Sequence, residues 1–469
     1  MNKLVAEQIA SDPRIAQARQ LLLETLADHV SQLDAIRPPS ATRQQAFDQM
    51  LEEYGGYRGG NLYFPYLSSG AGQGPFVELA DGSVKLDLIT GIGVHGFGHC
   101  HPDLVSAGID SAISDTVMQG NLQTNLQSVT LCKSILDLAN RQGADYAHCF
   151  LSTSGAMANE NALKIAFQKN HPANRILSFK HCFAGRTLAL AQVTDKAAYR
   201  VGLPETIQVD YLPFYDAENH DQSIRSAVAH LKSHQNRHPG KHAAIWMELI
   251  QGEGGYYPGH RDFFMALINE LKDQNCAIIA DEVQTFSRTT EPFATQYFGL
   301  QDEVDIITIG KITQVCATIF KANYNPQPGL ISQTFTGSTW AINAAQTIID
   351  GLIKRGNFGE QGLNQKLHEH FAHHLERIGK KYPGTVSGPW GIGGMVAFTP
   401  GDGSAEIAKQ MCHDLFEAGL MGFIAGGSPA RIRFLLPLGA VTSEHIDLAA
   451  EVIESVASRM HPETGTAPC

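Results

Sequence analysis

Basic charge is in short supply. The 469 residues carry 35 Lys and Arg against 47 Asp and Glu, a formal net charge of −12, and the acidic residues are scattered. Nucleic acids and anionic membrane surfaces are held by basic patches, so neither is expected as a partner. Single basic pockets for small anions stay open. Long apolar runs are missing as well. None nears the ~20 residues that span a bilayer, and the opening "MNKLVAEQIASDPRIAQARQ" lacks the apolar stretch of a secretory leader. The eight cysteines are widely spaced and mostly in apolar contexts, as at Cys149, Cys276 and Cys316. In so large a chain this predicts reduced thiols and a cytoplasmic protein, not a disulfide framework. One metal-like cluster is read, "GHCHP" with His99 to His101. Three adjacent candidates on an extended segment point different ways, and no second cluster accompanies them, so no metal is expected. A dinucleotide-binding fold is disfavoured too: "GIGVHG" at 91–96 leads into His and Pro, not into a clear helix.

What is present is an ordinary globular composition, 43% apolar and 17% charged, with length for two or three domains. Residues 1–75 begin with helical periodicity, "IAQARQLLLETLADHVSQLDAI", then pass Pro38-Pro39 into a Gly/aromatic segment, "YGGYRGGNLYFPY". From 76 to 345 short apolar runs ("AHCFL", "RILSF", "AAIWMEL", "CAIIADEV", "VDIITIG") alternate with helical segments such as "MANENALKIAFQKN" and "DFFMALINELKDQN". Such alternation predicts an α/β fold built on a mostly parallel sheet. Residues 346–469 read as a smaller α/β domain. It has a helix near 360–380, strands around "GMVAF" and "ARIRFLLPL", and a closing helix capped at Thr442/Ser443.

In a parallel sheet ligands sit beyond the carboxyl ends of the strands. "AHCFL" delivers Ser154-Gly155-Ala156 at a helix start, where free N–H groups and the helix dipole suit a phosphate. "RILSF" delivers Phe183 and Arg186. "AAIWMEL" delivers Glu248, followed by Gln251 and Glu253. "CAIIA" delivers Asp281 and Gln284, and "VDIITIG" delivers Lys311. Each residue alone reads as a surface group, a cap or an ion pair; five strands ending this way at one edge do not. A phosphate site, an aromatic face, a carboxylate and a lysine amine together describe a pyridoxal 5′-phosphate site. The lysine would tether the cofactor aldehyde, and the Asp would keep the pyridine nitrogen protonated.

These residues resemble the class III (subgroup II) aminotransferases of fold type I, from about residue 75 to 440. The resemblance rests on "DGSVKLDLITGIGVHGFGHCHP", "SGAMANENALK", "FAGRT", "DEVQT" and "GSTW", in order. It implies a large domain, 76–345, with a seven-stranded type of sheet. It also implies a small C-terminal domain, 346–469, and an N-terminal segment, 1–75, packing with that small domain. Gly155 and Ala156 would bind phosphate, Phe183 would stack on the ring and Gln284 would meet its phenolic oxygen. Thr339 would reach the phosphate of a neighbouring subunit, which implies a homodimer. "GKITQVC" and "NENALK" look most like the L-lysine 6-aminotransferase branch, with 4-aminobutyrate aminotransferases nearly as close. Departures are Ala184 for the usual His, Leu249 for Pro, a stretch after Gln284 one residue short, and "AINAAQ". The implied activity is ping-pong transfer of an ω-amine to 2-oxoglutarate. Arg186 and Arg433 would hold carboxylates, and Glu253 would pair with Arg433 when no second carboxylate is bound. A mutase, racemase or decarboxylase shares the cofactor motifs, and a non-catalytic nucleotide-binding protein is the alternative from another class.

Overall fold

A computed structural model describes residues 3–116 and 120–460. The chain forms two compact units. The larger comprises Ser111–Gln365 with Gly391–Gly393; the smaller takes the described residues up to Asp110, Lys366–Trp390, and those from Gly394 on. Boundaries expected at 75 and 345 thus fall near 110 and 365. The first shift has a plain cause. Phe76–Leu79 and Val84–Asp87 pair with each other, and Leu86 and Asp87 lie in parallel register with Leu420 and Met421. A strand pair more than three hundred residues apart in sequence leaves no local signal.

The larger unit holds a seven-stranded sheet. Its strands in chain order are β1 (Tyr146–Ser152), β2 (Arg175–Phe179), β3 (Gln208–Leu212), β4 (His242–Met247), β5 (Ala277–Glu282), β6 (Ile306–Ile309) and β7 (Cys316–Lys321). They lie in the order β1-β7-β6-β5-β4-β2-β3. The pairs β3–β2, β2–β4, β4–β5 and β5–β6 are parallel, whereas β7 runs antiparallel to both β6 and β1. All strands except β7 therefore point their carboxyl ends to one edge. Strands β3 and β7 were not among the apolar runs picked out in the sequence. The centre is buried: β4, β5 and β6 are covered along their whole length, as expected of strands packed on both faces.

Helix Gly155–Lys169 packs across this sheet. Ser154 caps it, its Oγ accepting from Met157 N at 3.2 Å; such a cap is worth about 1 kcal/mol. Ala162, Leu163, Ile165 and Ala166 bury against Ile176, Trp246, Ile279 and Ile306. Ala158 is also fully buried. Its small side chain lets the helix approach closely enough for Thr318 Oγ1 to donate to Ala158 O at 2.8 Å.

The smaller unit has helix Pro13–Val30, started by Asp12 as cap and proline at the first position. It has a four-stranded sheet of Ser68–Gln73, Phe76–Leu79, Val84–Asp87 and Leu420–Met421. A second sheet orders Val386–Ile392, Met395–Pro400, Ala430–Leu435 and Phe423–Gly426. Helix Ser443–Met460 closes it, burying Ile446, Ala449, Ala450, Ile453, Val456 and Ala457.

Candidate functional site

Strand register brings the chemistry together. Ala280 lies opposite Met247 on β4, and Asp281 opposite Thr308 on β6. Glu248, Asp281 and Lys311 therefore leave adjacent strands at the same edge. Between β6 and Lys311 stands Gly310 in extended conformation, φ −179 and ψ −153. A Cβ there would sit 2.6 Å from Cys316 Sγ. Glycine is needed for space, not for conformation. Lys311 itself adopts φ +53, a left-handed backbone that costs a side-chain-bearing residue on the order of 1 kcal/mol.

Both carboxyls are buried, and burial raises both against hydrogen bonds and charge that favour their ionised forms. Burial pushes Asp281 up to about 6, against the Val283 N–H, the Lys311 charge, Asn159 and Thr308, which favour its ionised form. Asn159 Nδ2 donates to Oδ2 at 2.8 Å and Val283 N to Oδ1 at 3.0 Å, with Thr308 Oγ1 farther off at 3.5 Å. Burial, then the charge of Asp281, pushes Glu248 up to about 8. Its oxygens accept from Phe183 N at 2.7 Å and Gly252 N at 3.1 Å. Lys311 acts favourably on both acids. One cation thus acts on two buried carboxyls, and a second positive charge beside them would favour their ionised forms.

Around this group the remaining positions fall into place. The first-turn N–H groups of Gly155 and Ala156 have no acceptor within their own helix, as at any helix start. A Cβ on Gly155 would meet Val283 Cγ1 at 2.7 Å. Phe183 is half-buried, its backbone fixed by Glu248 and its ring edge-on to Tyr199 at 6.3 Å. Gln284 is buried, packed so close to Gly252 that a Cβ there would stand 2.2 Å from Gln284 Oε1. That oxygen has no hydrogen-bond partner among the described residues.

Other candidates are less tied to this group. Arg186 is exposed, its guanidinium 4.1 Å over the Tyr199 ring. Glu253 is half-buried on the short turn Gly252–Gly255. Thr339 Oγ1 donates to Asp115 O at 3.0 Å and accepts from Asn125 Nδ2 at 3.2 Å, both within its own chain. Arg433 belongs to the smaller unit, fully buried on Ala430–Leu435 with its guanidinium 5.9 Å from the Phe423 ring centre.

Asn159 is the residue the sequence reading missed. Its amide bridges Asp281 Oδ2 and, at 2.7 Å, Ala184 O. It joins the acid to the loop carrying Phe183. A buried amide in a helix interior needs acceptors for its N–H groups, and "NENALK" did offer that signal; it also offered Asn161, which bonds Ser152 Oγ at 3.2 Å.

Residues 63–457 match the family model for class-III aminotransferases. The chain belongs to this family. An acetylornithine aminotransferase of Methanocaldococcus jannaschii is 31% identical over 401 residues, covering 82% of this chain and 92% of the relative. A LysW-aminoadipate semialdehyde transaminase of Deinococcus radiodurans is 27% identical over 396 residues, covering 83% and 86%. The lysine aminotransferase of M. tuberculosis has a similar fold, with TM-score 0.73 at 22% identity, covering 82% of this chain and 92% of that one. The protein is thus a pyridoxal-phosphate-dependent class-III aminotransferase. Its site suits that cofactor: the orphaned Gln284 Oε1 wants a donor, and Asp281, held up near 6 by burial, wants a cation. Among the aminotransferase's described residues no helix is long and apolar enough to cross a membrane.

Proposed function

We propose that this aminotransferase moves the terminal amino group of a diamino or ω-amino acid, L-lysine the first to test, to 2-oxoglutarate in two half-reactions. Support comes chiefly from the meeting of Lys311, Asp281 and Glu248 at one sheet edge, where a single amine acts on two buried acids. The names of the relatives, acetylornithine and LysW-aminoadipate semialdehyde transaminases, agree with a terminal amine as the group transferred.

Bound pyridoxal phosphate supplies an aldehyde for amines and a ring that takes up electrons released at the donor carbon. Lys311 Nζ would tether it and, in its neutral form, would take the proton from that carbon and pass it to the former aldehyde carbon of the cofactor. Asp281 holds the proton of the ring nitrogen, and Asn159 holds Asp281. Ser154, Gly155 and Ala156 bind the phosphate. Phe183 covers a ring face, Gln284 contacts the phenolic oxygen, and Glu248 fixes the Phe183 and Gly252 backbones around them. Arg186, Glu253 and Arg433 are proposed for substrate carboxylates. The enzyme is further proposed to be a cytoplasmic homodimer in which Thr339 serves the neighbour's phosphate.

Borohydride reduction followed by peptide mapping should trap the cofactor on Lys311, and Lys311→Ala should abolish turnover. A Lys311→Ala enzyme working at the wild-type rate would refute the site. A donor panel with 2-oxoglutarate (L-lysine, ornithine, N-acetylornithine, 4-aminobutyrate) tests the substrate. Faster turnover of any other donor than of L-lysine would overturn that choice. Single-turnover measurements on Arg433→Ala should find the acceptor half-reaction alone impaired; equal losses in both halves would remove Arg433 from acceptor binding.

A further inference from the structure

We propose that His370, His374 and Asp447 form a binding site for a divalent transition metal of the zinc type. It lies in the smaller unit, whereas Lys311 lies in the larger. The sequence "HEHFAHH" carries both histidines, one turn apart on helix Leu363–Lys381. Spacing of i and i+4 puts them on one face. Their Nε2 atoms each lie 2.7 Å from the same oxygen, Asp447 Oδ1, on helix Ser443–Met460. The rings stand at 90° with centroids 4.9 Å apart. All three ligand atoms fall within 4.8 Å of one another. A tetrahedral ion about 2.0–2.1 Å from each ligand needs them roughly 3.3 Å apart, so the site forms with an opening of about half an ångström at the Asp–His contacts.

The donor set chooses the ion. Two imidazoles and one carboxylate suit zinc, nickel, cobalt or copper, whereas calcium and magnesium want oxygen throughout. Access is open, with side-chain exposures of 36% for His370 and 47% for Asp447. Water can fill the remaining position. His374 Nδ1 has no hydrogen-bond partner among the described residues. Without that outer support the affinity is on the order of micromolar, not nanomolar.

A neighbouring contact sharpens the case. Seven residues further along both helices, Arg377 Nη1 and Lys381 Nζ grip Glu454 at 2.7 and 2.5 Å. The same geometry recurs there with permanent cations, which have no lone pair to give a metal. This helix pair therefore has a plain ionic clamp, and one heptad earlier it has two imidazoles in the clamp's place. The cluster "GHCHP" contrasts with it. His99 turns to Asp87, Cys100 Sγ to Gly70 O, and His101 Nδ1 accepts from Asp103 N.

The test uses untagged, chelator-treated holoenzyme and ZnCl2, followed by titration calorimetry and thermal melts. The expected result is one specific Zn2+ per chain with Kd on the order of micromolar, and a rise in Tm of about 2–5 °C at saturation. Asp447→Asn and His374→Gln should each weaken binding at least about tenfold. Glu454→Gln should leave zinc binding intact. Transamination and circular dichroism check that the variants fold, and if His374→Gln does not, Asp447→Asn carries the comparison. Zinc binding of the same affinity in the variants, or none tighter than about 1 mM in the wild type, would overturn the proposal.

Discussion

Replacing Asn159 by alanine would expose how Asp281 is held. The amide donates two hydrogen bonds, 2.8 Å to Asp281 Oδ2 and 2.7 Å to Ala184 O, in a helix position only 2% exposed. A bond to an ionised carboxylate contributes about 1.5–3 kcal/mol and one to a neutral carbonyl about 1. With water kept out, the loss should be about 3 kcal/mol of unfolding free energy in the cofactor-free protein. Asp281 already sits near 6 because burial outweighs its donors, and Asn159 is one of those donors. Removing it moves the acid further up, so less of it is ionised at neutral pH. The role proposed for Asp281 needs its ionised form. The acid limb of the rate profile should therefore shift to higher pH, and cofactor affinity at neutral pH should fall as the charge on Asp281 is lost. Urea denaturation, cofactor titration and a pH–rate profile measure all three. A stability loss below about 0.5 kcal/mol together with an unmoved acid limb would refute the reasoning. A stability loss with an unmoved limb would make Asn159 a packing residue only.

Gly310→Ala should cost about 1–3 kcal/mol through the clash with Cys316 Sγ. Cys316→Ala should relieve it in a double-mutant cycle; no coupling between the two would rule out the steric account. In cofactor-free protein the folded state keeps a proton on Glu248, raised from 4.5 to about 8 chiefly by burial, that the unfolded chain gives up. Its contribution is full below pH 4.5 and lost as pH rises to about 8. Glu248→Gln should flatten that decline, and an unchanged slope in denaturation curves across the window would exclude Glu248 as its source. Dilution to monomers should release cofactor, and more readily in Thr339→Val; a monomer active and loaded on a sizing column would contradict the shared site.

The sheet edge proposed to hold the cofactor is legible because buried parallel strands are written as apolar runs, and the polar residue ending each run is conspicuous. Lys311, Asp281 and Glu248 stand out on that ground alone. Strand β7 was harder: "CATIFK" follows the lysine loop without a break, and nothing local says that it turns back antiparallel. The membership of 76–110 depends on pairing with Leu420 and Met421, which no window of sequence contains. That the Arg186 guanidinium lies over Tyr199, a residue of the turn Ala197–Tyr199, has no local signal either. The His370 cluster escaped notice because its third member sits on another helix.

The reversal of β7 has a further effect on Lys311. Residues 310–315 are pinned at both ends by hydrogen-bonded core strands, Ile309 pairing directly with Ala317. A lysine on a free loop would sample many positions; here the backbone is a fixed post, and only the side-chain torsions remain. For the tether proposed at Lys311 this amounts to a very high effective concentration, since the amine would meet its target as an oriented neighbour and not as a solute. An amine substrate at millimolar concentration competes with that post only through its own contacts to the pocket. Loosening the loop, for instance by lengthening it with glycines, would shift the contest toward the substrate without touching any residue that binds it.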